Sequence, residues 1–406
     1  MLHSKIDKPD KDCDIVYFCP ELNAATDAVF HSQVLQQIVA LQDMGYRCGL
    51  VAGGAHVTAS DCEMSIEGVV GDRYAFVGNN EATTPWEYFR MARRVSKKAA
   101  VRRIVCDARY VYYRSLLTFL ASNKAFEACG VQTVFDCRGL MTREAWVKRF
   151  GSENALLALV DVAERLMIHR ATRVLCVSQK MAEMIKSVDG VVPCCANPTM
   201  FAIDNDLRQI ARRDLGWGDD EIGIVYSGGI SRWQRVEETV KLLHDLHKRV
   251  PKLRSLLLVK LENQSTVKAM MPSNAPQFSI RSAEPGEVCR WLNAADFGVV
   301  LRHDLQVNRV ASPIKIGEYL LCGLALIASP NIGDISAILR QQGIGLIADD
   351  LTEAGVNQLA EQIVQYAKPR MAARELGLQH YVRSNYRMVY EKVLGKPLNL
   401  QDSGSK

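Results

Sequence analysis

The sequence predicts an α/β protein made of two consecutive parallel-sheet domains, and three observations carry that prediction. The chain has 406 residues, more than one hydrophobic core usually supports. Short apolar segments alternate with amphipathic stretches along most of it, the pattern of βα units. A polar, helix-breaking region, "AIDNDLRQIARRDLGWGDDE" (202–221), divides the alternation into two series of domain size.

In the first series "DIVYFCP" (14–20) reads as a strand and "VFHSQVLQQIVALQDMGY" (29–46) as a helix, with Val34, Ile38 and Leu41 on one face. "RCGLVAGG" (47–54) is the next strand, closed by a glycine pair. Further strands are expected at "RRIVCDA" (102–108), "VQTVFDCRG" (131–139) and "ATRVLCVS" (171–178), then a strand and loop within "KSVDGVVPCCANPTMF" (186–201). The second series holds strands at "IGIVYSGG" (222–229), "RSLLLVK" (254–260), "FSIRSA" (278–283) and "DFGVVLR" (296–302). Its helices are expected at 234–250 and 286–295. This divides the chain into a domain over 1–205, a second over 206–380, and a C-terminal helix with a disordered tail over 381–406. Ligands of such open sheets bind beyond the carboxyl ends of the strands.

Composition narrows the class. Hydrophobic content of 48% and charged content of 23% are those of an ordinary globular protein. A formal charge of +5 is too mild for a protein that coats nucleic acid, so no nucleic-acid partner is expected. The polar N-terminus "MLHSKIDKPDKDCD" has no apolar leader, and no run approaches the roughly 20 apolar residues of a membrane span. The twelve cysteines are scattered, apart from adjacent Cys194 and Cys195, and fit neither a zinc site nor a redox pair. They read as small hydrophobes in a reducing cytoplasm.

Four segments carry candidate chemistry. In "YSGGISRW" (226–233) Gly228 and Gly229 end a strand where backbone amides can approach an anion, with Arg232 at the same edge. In "SPIKIGEYLLCGLALIAS" (312–329) Ser312 is placed as a helix cap, Pro313 as the first helical residue and Gly323 as the stop. Lys315 and Glu318 then share a face of an otherwise apolar helix, either as an ion pair or as ligand contacts. In "TVFDCRGLMTREAW" (133–146) Asp136 and Arg138 project to one side of a strand end, followed by Gly139 and Glu144. There Arg138 either grips a phosphate or sugar or pairs with Asp136. "WEYFRMARRVSKKAAVRR" (86–103) reads as a basic amphipathic helix, with Tyr88, Met91, Ala92, Val95 and Ala99 on its apolar face. It suits either an anionic membrane surface or plain solvent. The acidic pairs Asp12–Asp14 and Asp204–Asp206 lie in linker-like regions and are read as chance.

"YSGGISRWQ", "LNAADFGVVLR" and "SPIKIGEYLLCGLALIAS", in this order and spacing, resemble the C-terminal half of GT-B fold glycosyltransferases. The likeness is greatest to the retaining family-four enzymes of bacterial surface polysaccharide synthesis. "DCRGLMTREAW", "VLCVSQKM" and "NPTMF" resemble elements of their N-terminal half. The resemblance implies two Rossmann-like domains, an interdomain cleft and a C-terminal helix crossing back to the first domain. It implies a nucleoside-diphosphate sugar donor, a glycan or lipid-linked acceptor, and no cofactor or metal. Glu318 would bind the ribose. Ser312, Pro313, Ile314, Lys315, Gly228, Gly229, Arg232 and Arg302 would hold the nucleotide and diphosphate. Asp136, Arg138 and Glu144 are the candidate catalytic residues, contacting acceptor or donor sugar. Three departures stand out: Val310 occupies the place of a second glutamate, Trp233, Gln234 and Arg235 that of the clamp lysine, and "CPELNAATDAVFHSQ" lacks the usual Gly-Gly pair. A sugar-nucleotide epimerase and a non-catalytic partner subunit are the alternatives.

Overall fold

A computed structural model describes residues 11–24, 29–54, 66–78, 82, 84–150, 157–272 and 275–398. The expected disordered tail (401–406) and most of the polar N-terminus lie outside them.

The first sheet contains β1 (Cys13–Asn23), β2 (Cys48–Gly54), β3 (Tyr74–Gly78), β4 (Ala108–Tyr113), β5 (Gln132–Cys137), β6 (Arg173–Cys176) and β7 (Gly190–Val191). Their order is β3-β2-β1-β4-β5-β6-β7, and every pairing is parallel. The second sheet contains β8 (Ile222–Ser227), β9 (Leu253–Leu258), β10 (Phe278–Arg281), β11 (Phe297–Val300), β12 (Ala325–Ala328) and β13 (Leu346–Ile347). It is also parallel, in the order β10-β9-β8-β11-β12-β13. Parallel sheets are buried on both faces, so their strands read as continuous apolar runs. β1 shows this: Val16 and Phe18 enter one core layer and Ile15 and Tyr17 the other. In each sheet the order reverses next to the first strand, between β1 and β4 and between β8 and β11. That reversal opens a crevice at the carboxyl ends.

The structure corrects four expectations. Residues 102–108 are not a strand: Ala99–Cys106 is a helix and the strand is β4, one step later. The β-rich side chains of "ARYVYY" fill the sheet, while Val101 and Val105 form the buried stripe of the helix. The "helix-breaking" 202–221 region contains the helix Asn205–Leu215, capped by Asp204, which accepts from the Leu207 amide at 2.9 Å. Asp204 is thus a cap, and Asp14 pairs with Arg109 at 3.0 Å. The basic stretch is two helices, Pro85–Val95 and Ala99–Cys106, broken at Lys97–Lys98, and Ala99 is exposed. Cys106 and Cys129 form a disulfide, whereas nine described cysteines are free.

The second core already includes Ala196 and Phe201. The C-terminal helix Arg387–Leu394 returns to the first domain, where Tyr390, Val393 and Leu394 pack beside Ile15 and Tyr17. The two halves also meet directly. Ser178 Oγ donates to the Val310 carbonyl at 2.7 Å, and the Cys194 amide donates to Ser312 Oγ at 3.1 Å. Asp334 accepts from the amides of Gln179 and Lys180 at 2.8 and 3.3 Å, closing the amino end of the Gln179–Ile185 helix.

Candidate active site in the interdomain cleft

The wall from the second domain is built on the helix Ile314–Leu321. Pro313, not Ser312, is its cap residue, because the Ser312 hydroxyl is taken by Cys194 across the cleft. The amides of Ile314 and Lys315 lie in the first turn, where no carbonyl of the helix reaches them, so they can face an anion. Ile316, Tyr319 and Leu320 bury the opposite side in the second core. Gly298 on β11 leaves room for the Tyr319 ring, and the Tyr319 hydroxyl accepts from the Ser227 amide at 2.7 Å.

Lys315 is buried with its Nζ 4.3 Å from the centre of the Tyr226 ring and 3.5 Å from Gln234 Oε1. It presses on Gly228, where φ is 141° and a Cβ would stand 2.6 Å from Nζ, so glycine is required there. Burial, with the Arg302 charge adding to it, drives the Lys315 pKa well below its ordinary value. Burial likewise pushes the Glu318 carboxyl up to about 7, and Lys315 only partly counters this. No ion pair joins the two side chains, and no hydrogen-bond donor engages the Glu318 carboxylate among the described residues. Arg302 follows β11, is nearly buried and has no ion-pair partner among the described residues. Of the glycine pair, Gly228 spends its amide on the Leu258 carbonyl at 3.0 Å, which leaves the Gly229 side of the turn for a ligand. Arg232 is exposed in the short turn Arg232–Gln234.

The wall from the first domain is a side-chain network, with Asp136 Oδ1 and Arg138 Nε left without partners among the described residues. Asp136 Oδ2 accepts from the Tyr112 hydroxyl at 2.8 Å and lies 3.4 Å from Arg138 Nη1. The Gln37 side-chain amide hydrogen-bonds the Tyr112 and Tyr390 hydroxyls at 2.8 and 3.2 Å, and Arg383 donates to Tyr390 at 2.6 Å. The network thus ties β4, β5 and the returning C-terminal segment together beneath the cleft. Glu144, on the helix Met141–Phe150, is exposed at the cleft, and its carboxylate rests against Gly139. The protein groups crowding that carboxyl raise its pKa, and the Glu164 charge adds to the rise.

The walls enclose a cavity of about 180 Å³. The structure brings Arg138, Glu144, Arg302, Ser312, Pro313 and Ile314 to it. Lys315 and Glu318 continue the same helix away from it, and Asp136 lies below its floor. Gln33, Cys194, Trp233 and Asn308 also line it. Trp233 lies in the turn Arg232–Gln234 after β8 and Asn308 in the short helix Gln306–Arg309 after β11, and only the rule that ligands lie beyond strand ends could have marked them. Val310, where the family pattern has a second glutamate, is 1% exposed and plugs the core of the first domain. Among the described residues no cluster of three or more His, Cys, Asp or Glu could hold a metal ion.

No protein-family model and no curated protein matches the chain. Solved structures do. HepE of Anabaena, in complex with UDP and glucose, superposes with a TM-score of 0.66 at 11% identity, covering 94% of this chain and 99% of its own. Sucrose-phosphate synthase of Thermosynechococcus elongatus gives 0.62 at 14% identity, with 96% and 97% covered. WaaG, a glycosyltransferase of lipopolysaccharide biosynthesis, gives 0.62 at 12% identity, with 94% and 100% covered. Two parallel sheets facing a cleft, a returning C-terminal helix and these neighbours identify the architecture: the chain has the GT-B fold.

Proposed function

We propose that the chain is a glycosyltransferase that moves a sugar from a nucleoside-diphosphate donor to a glycan or lipid-linked acceptor, with retention at the anomeric carbon. One observation carries the reading: buried Lys315 and half-buried Glu318 lie on the Ile314–Leu321 helix with no ion pair between them, next to its open amides. A carboxylate can accept two hydrogen bonds from a vicinal diol, which suits Glu318 to a ribose. Open amides and Lys315 suit a diphosphate. Lys315 fills the role of the clamp lysine absent at 233–235, reaching the glycine turn from the helix instead of from the loop. HepE binds UDP-glucose in a structure of the same fold.

In the proposed reaction the bond between the anomeric carbon and the diphosphate breaks as the acceptor oxygen bonds to the same face. The acceptor proton passes to the departing phosphate oxygen. Lys315, Arg302 and Arg232 stabilise the charge that develops on that phosphate, in place of a metal ion. Arg138 and Glu144 line the same cavity as Arg302, which supports a role for them at the acceptor or donor sugar.

The test is calorimetry against UDP, GDP and CMP with wild type and Glu318→Ala. Binding of one nucleoside diphosphate, lost in the variant, is expected; no binding, or binding indifferent to the variant, sinks the reading. Turnover of the sugar nucleotide to another free sugar nucleotide without acceptor would make the protein an epimerase instead.

A peripheral contact with an anionic cytoplasmic membrane face belongs to the same proposal. Trp86 is 59% exposed on a helix whose Arg90, Arg93 and Arg94 are also exposed. Leu159, Val162 and Leu166 form an exposed stripe on the helix Leu157–Ile168, and both helices pack on Leu116–Glu127. Flotation with anionic vesicles, lost in Arg93→Glu/Arg94→Glu, checks it; equal binding to neutral vesicles would count against it.

A further inference from the structure

Arg114 and Arg138 follow the last residues of β4 and β5, adjacent strands of the first sheet, so both guanidinium groups stand at its carboxyl edge. Arg114 donates one Nη to Gln33 Oε1, while its Nε and other Nη are buried without a partner among the described residues. Arg138 makes only long contacts, 3.4 Å to the Val192 carbonyl, 3.3 Å to the Cys194 sulfur and 3.4 Å to Asp136, and its Nε is also unpartnered. Asp136 is the one carboxylate near both among the described residues, and it already accepts from Tyr112. Two half-buried cations with buried, unpartnered nitrogens and one anion leave the edge with surplus positive charge, and burial, with the Arg138 charge adding to it, lowers the Arg114 pKa. Buried donors are normally satisfied, and unpaired buried charge is costly unless something compensates it. Arg138 and Gln33 both line the cavity, facing Arg302 and Ser312 of the donor wall.

We propose that Arg114 and Arg138, gated by Gln33, form a subsite for an anionic group on the acceptor, a phosphate or a carboxylate. The proposal rests on the transferase reading and adds to it the class of acceptor. A planar guanidinium pair binds either oxyanion in bidentate fashion, which an uncharged sugar hydroxyl cannot match. The position fixes the order of the substrates across the cleft: donor diphosphate on the second domain, acceptor anion on the first.

The experiment uses the full chain saturated with UDP and titrates three probes: a hexose 6-phosphate, a methyl hexuronoside and the uncharged methyl hexoside. One or both charged probes should bind, weakening with salt, and the neutral probe should not. Arg114→Gln should weaken the charged probe roughly tenfold or more, while Arg114→Lys keeps part of the binding. Thermal melts show whether the variants are folded, and UDP affinity, which Arg114 does not touch, should be unchanged. The phosphate and carboxylate arms distinguish the two acceptor chemistries. Equal binding of the neutral probe, indifference to Arg114→Gln, or displacement of UDP by the charged probe overturns the subsite. Failure of UDP to bind overturns the transferase reading separately, through its own titration.

Discussion

The two walls of the cleft each hold an acid near a base, and they hold the acids in opposite ways. Asp136 of the first domain is stitched through Tyr112 into a network with Gln37, Tyr390 and Arg383, and Arg138 stands 3.4 Å from it. Lys315 of the second has a ring face and one long contact, and the Glu318 carboxylate has no hydrogen-bond donor among the described residues. A satisfied buried charge rigidifies the fold, whereas an unsatisfied one stores free energy that a ligand can release. The pattern of partners, rather than residue type, separates Asp136, tied into the fold through Tyr112, from Glu318, left for a ligand; Arg138, with its long contacts and unpartnered Nε, stands with Glu318.

Asp136→Ala gives the largest expected effect. Removing one partner of a buried pair costs about 3–5 kcal/mol, read as a shift in denaturant midpoint at constant slope. An unchanged midpoint would erase the contrast between the walls.

Glu318→Gln should do the reverse. Loss of a charged acceptor of two hydrogen bonds weakens nucleotide binding by roughly 100-fold. The fold should gain stability at pH 8: a glutamate whose folded pKa is raised from 4.5 to about 7 stabilises the fold below pH 4.5 and loses that contribution as pH rises through 7. A melt at pH 8 that falls in the variant would contradict this.

Lys315→Met is next. Its affinity for UDP should fall about tenfold, while that for UMP changes less, because one charge-assisted contact to the terminal phosphate is gone. Equal losses for both ligands would move Lys315 away from the diphosphate.

The smallest effect is the pH profile of nucleoside binding, measured with the nucleoside so that no phosphate titrates. Affinity should rise several-fold from pH 6 to pH 8 as the Glu318 carboxyl, near 7, loses its proton. A flat profile in wild type, matching Glu318→Gln, would detach the ribose from Glu318.

Much of this was legible in the chain. The parallel architecture follows from the apolar runs, and the Ile314–Leu321 helix from Ser-Pro, the apolar stretch and Gly323. The cap was misplaced by one residue because only the folded cleft shows that Cys194 claims the Ser312 hydroxyl. The helix Asn205–Leu215 was hidden because its buried face is mainly Ala211 and Arg212, and Arg212 is satisfied by distant carbonyls of Ala294, Gly218 and Glu221. β4 was displaced onto a preceding helix of similar apolar content, and with it went any chance of placing Arg114 at a strand end. Burial of Val310 in the neighbouring domain's core depends on how two domains close, which no local pattern encodes.

Tyr319 connects two parts of the donor wall that are far apart in sequence. Its ring crosses Gly298 and its hydroxyl holds the Ser227 amide, so the start of the glycine turn and the body of the Ile314–Leu321 helix are separated by one rigid phenol. The ring acts as a gauge block: it sets the spacing between the turn and the helix that carries Glu318. Tyr319→Phe would loosen one end of the gauge, and Gly298→Ala would force the block out of its seat.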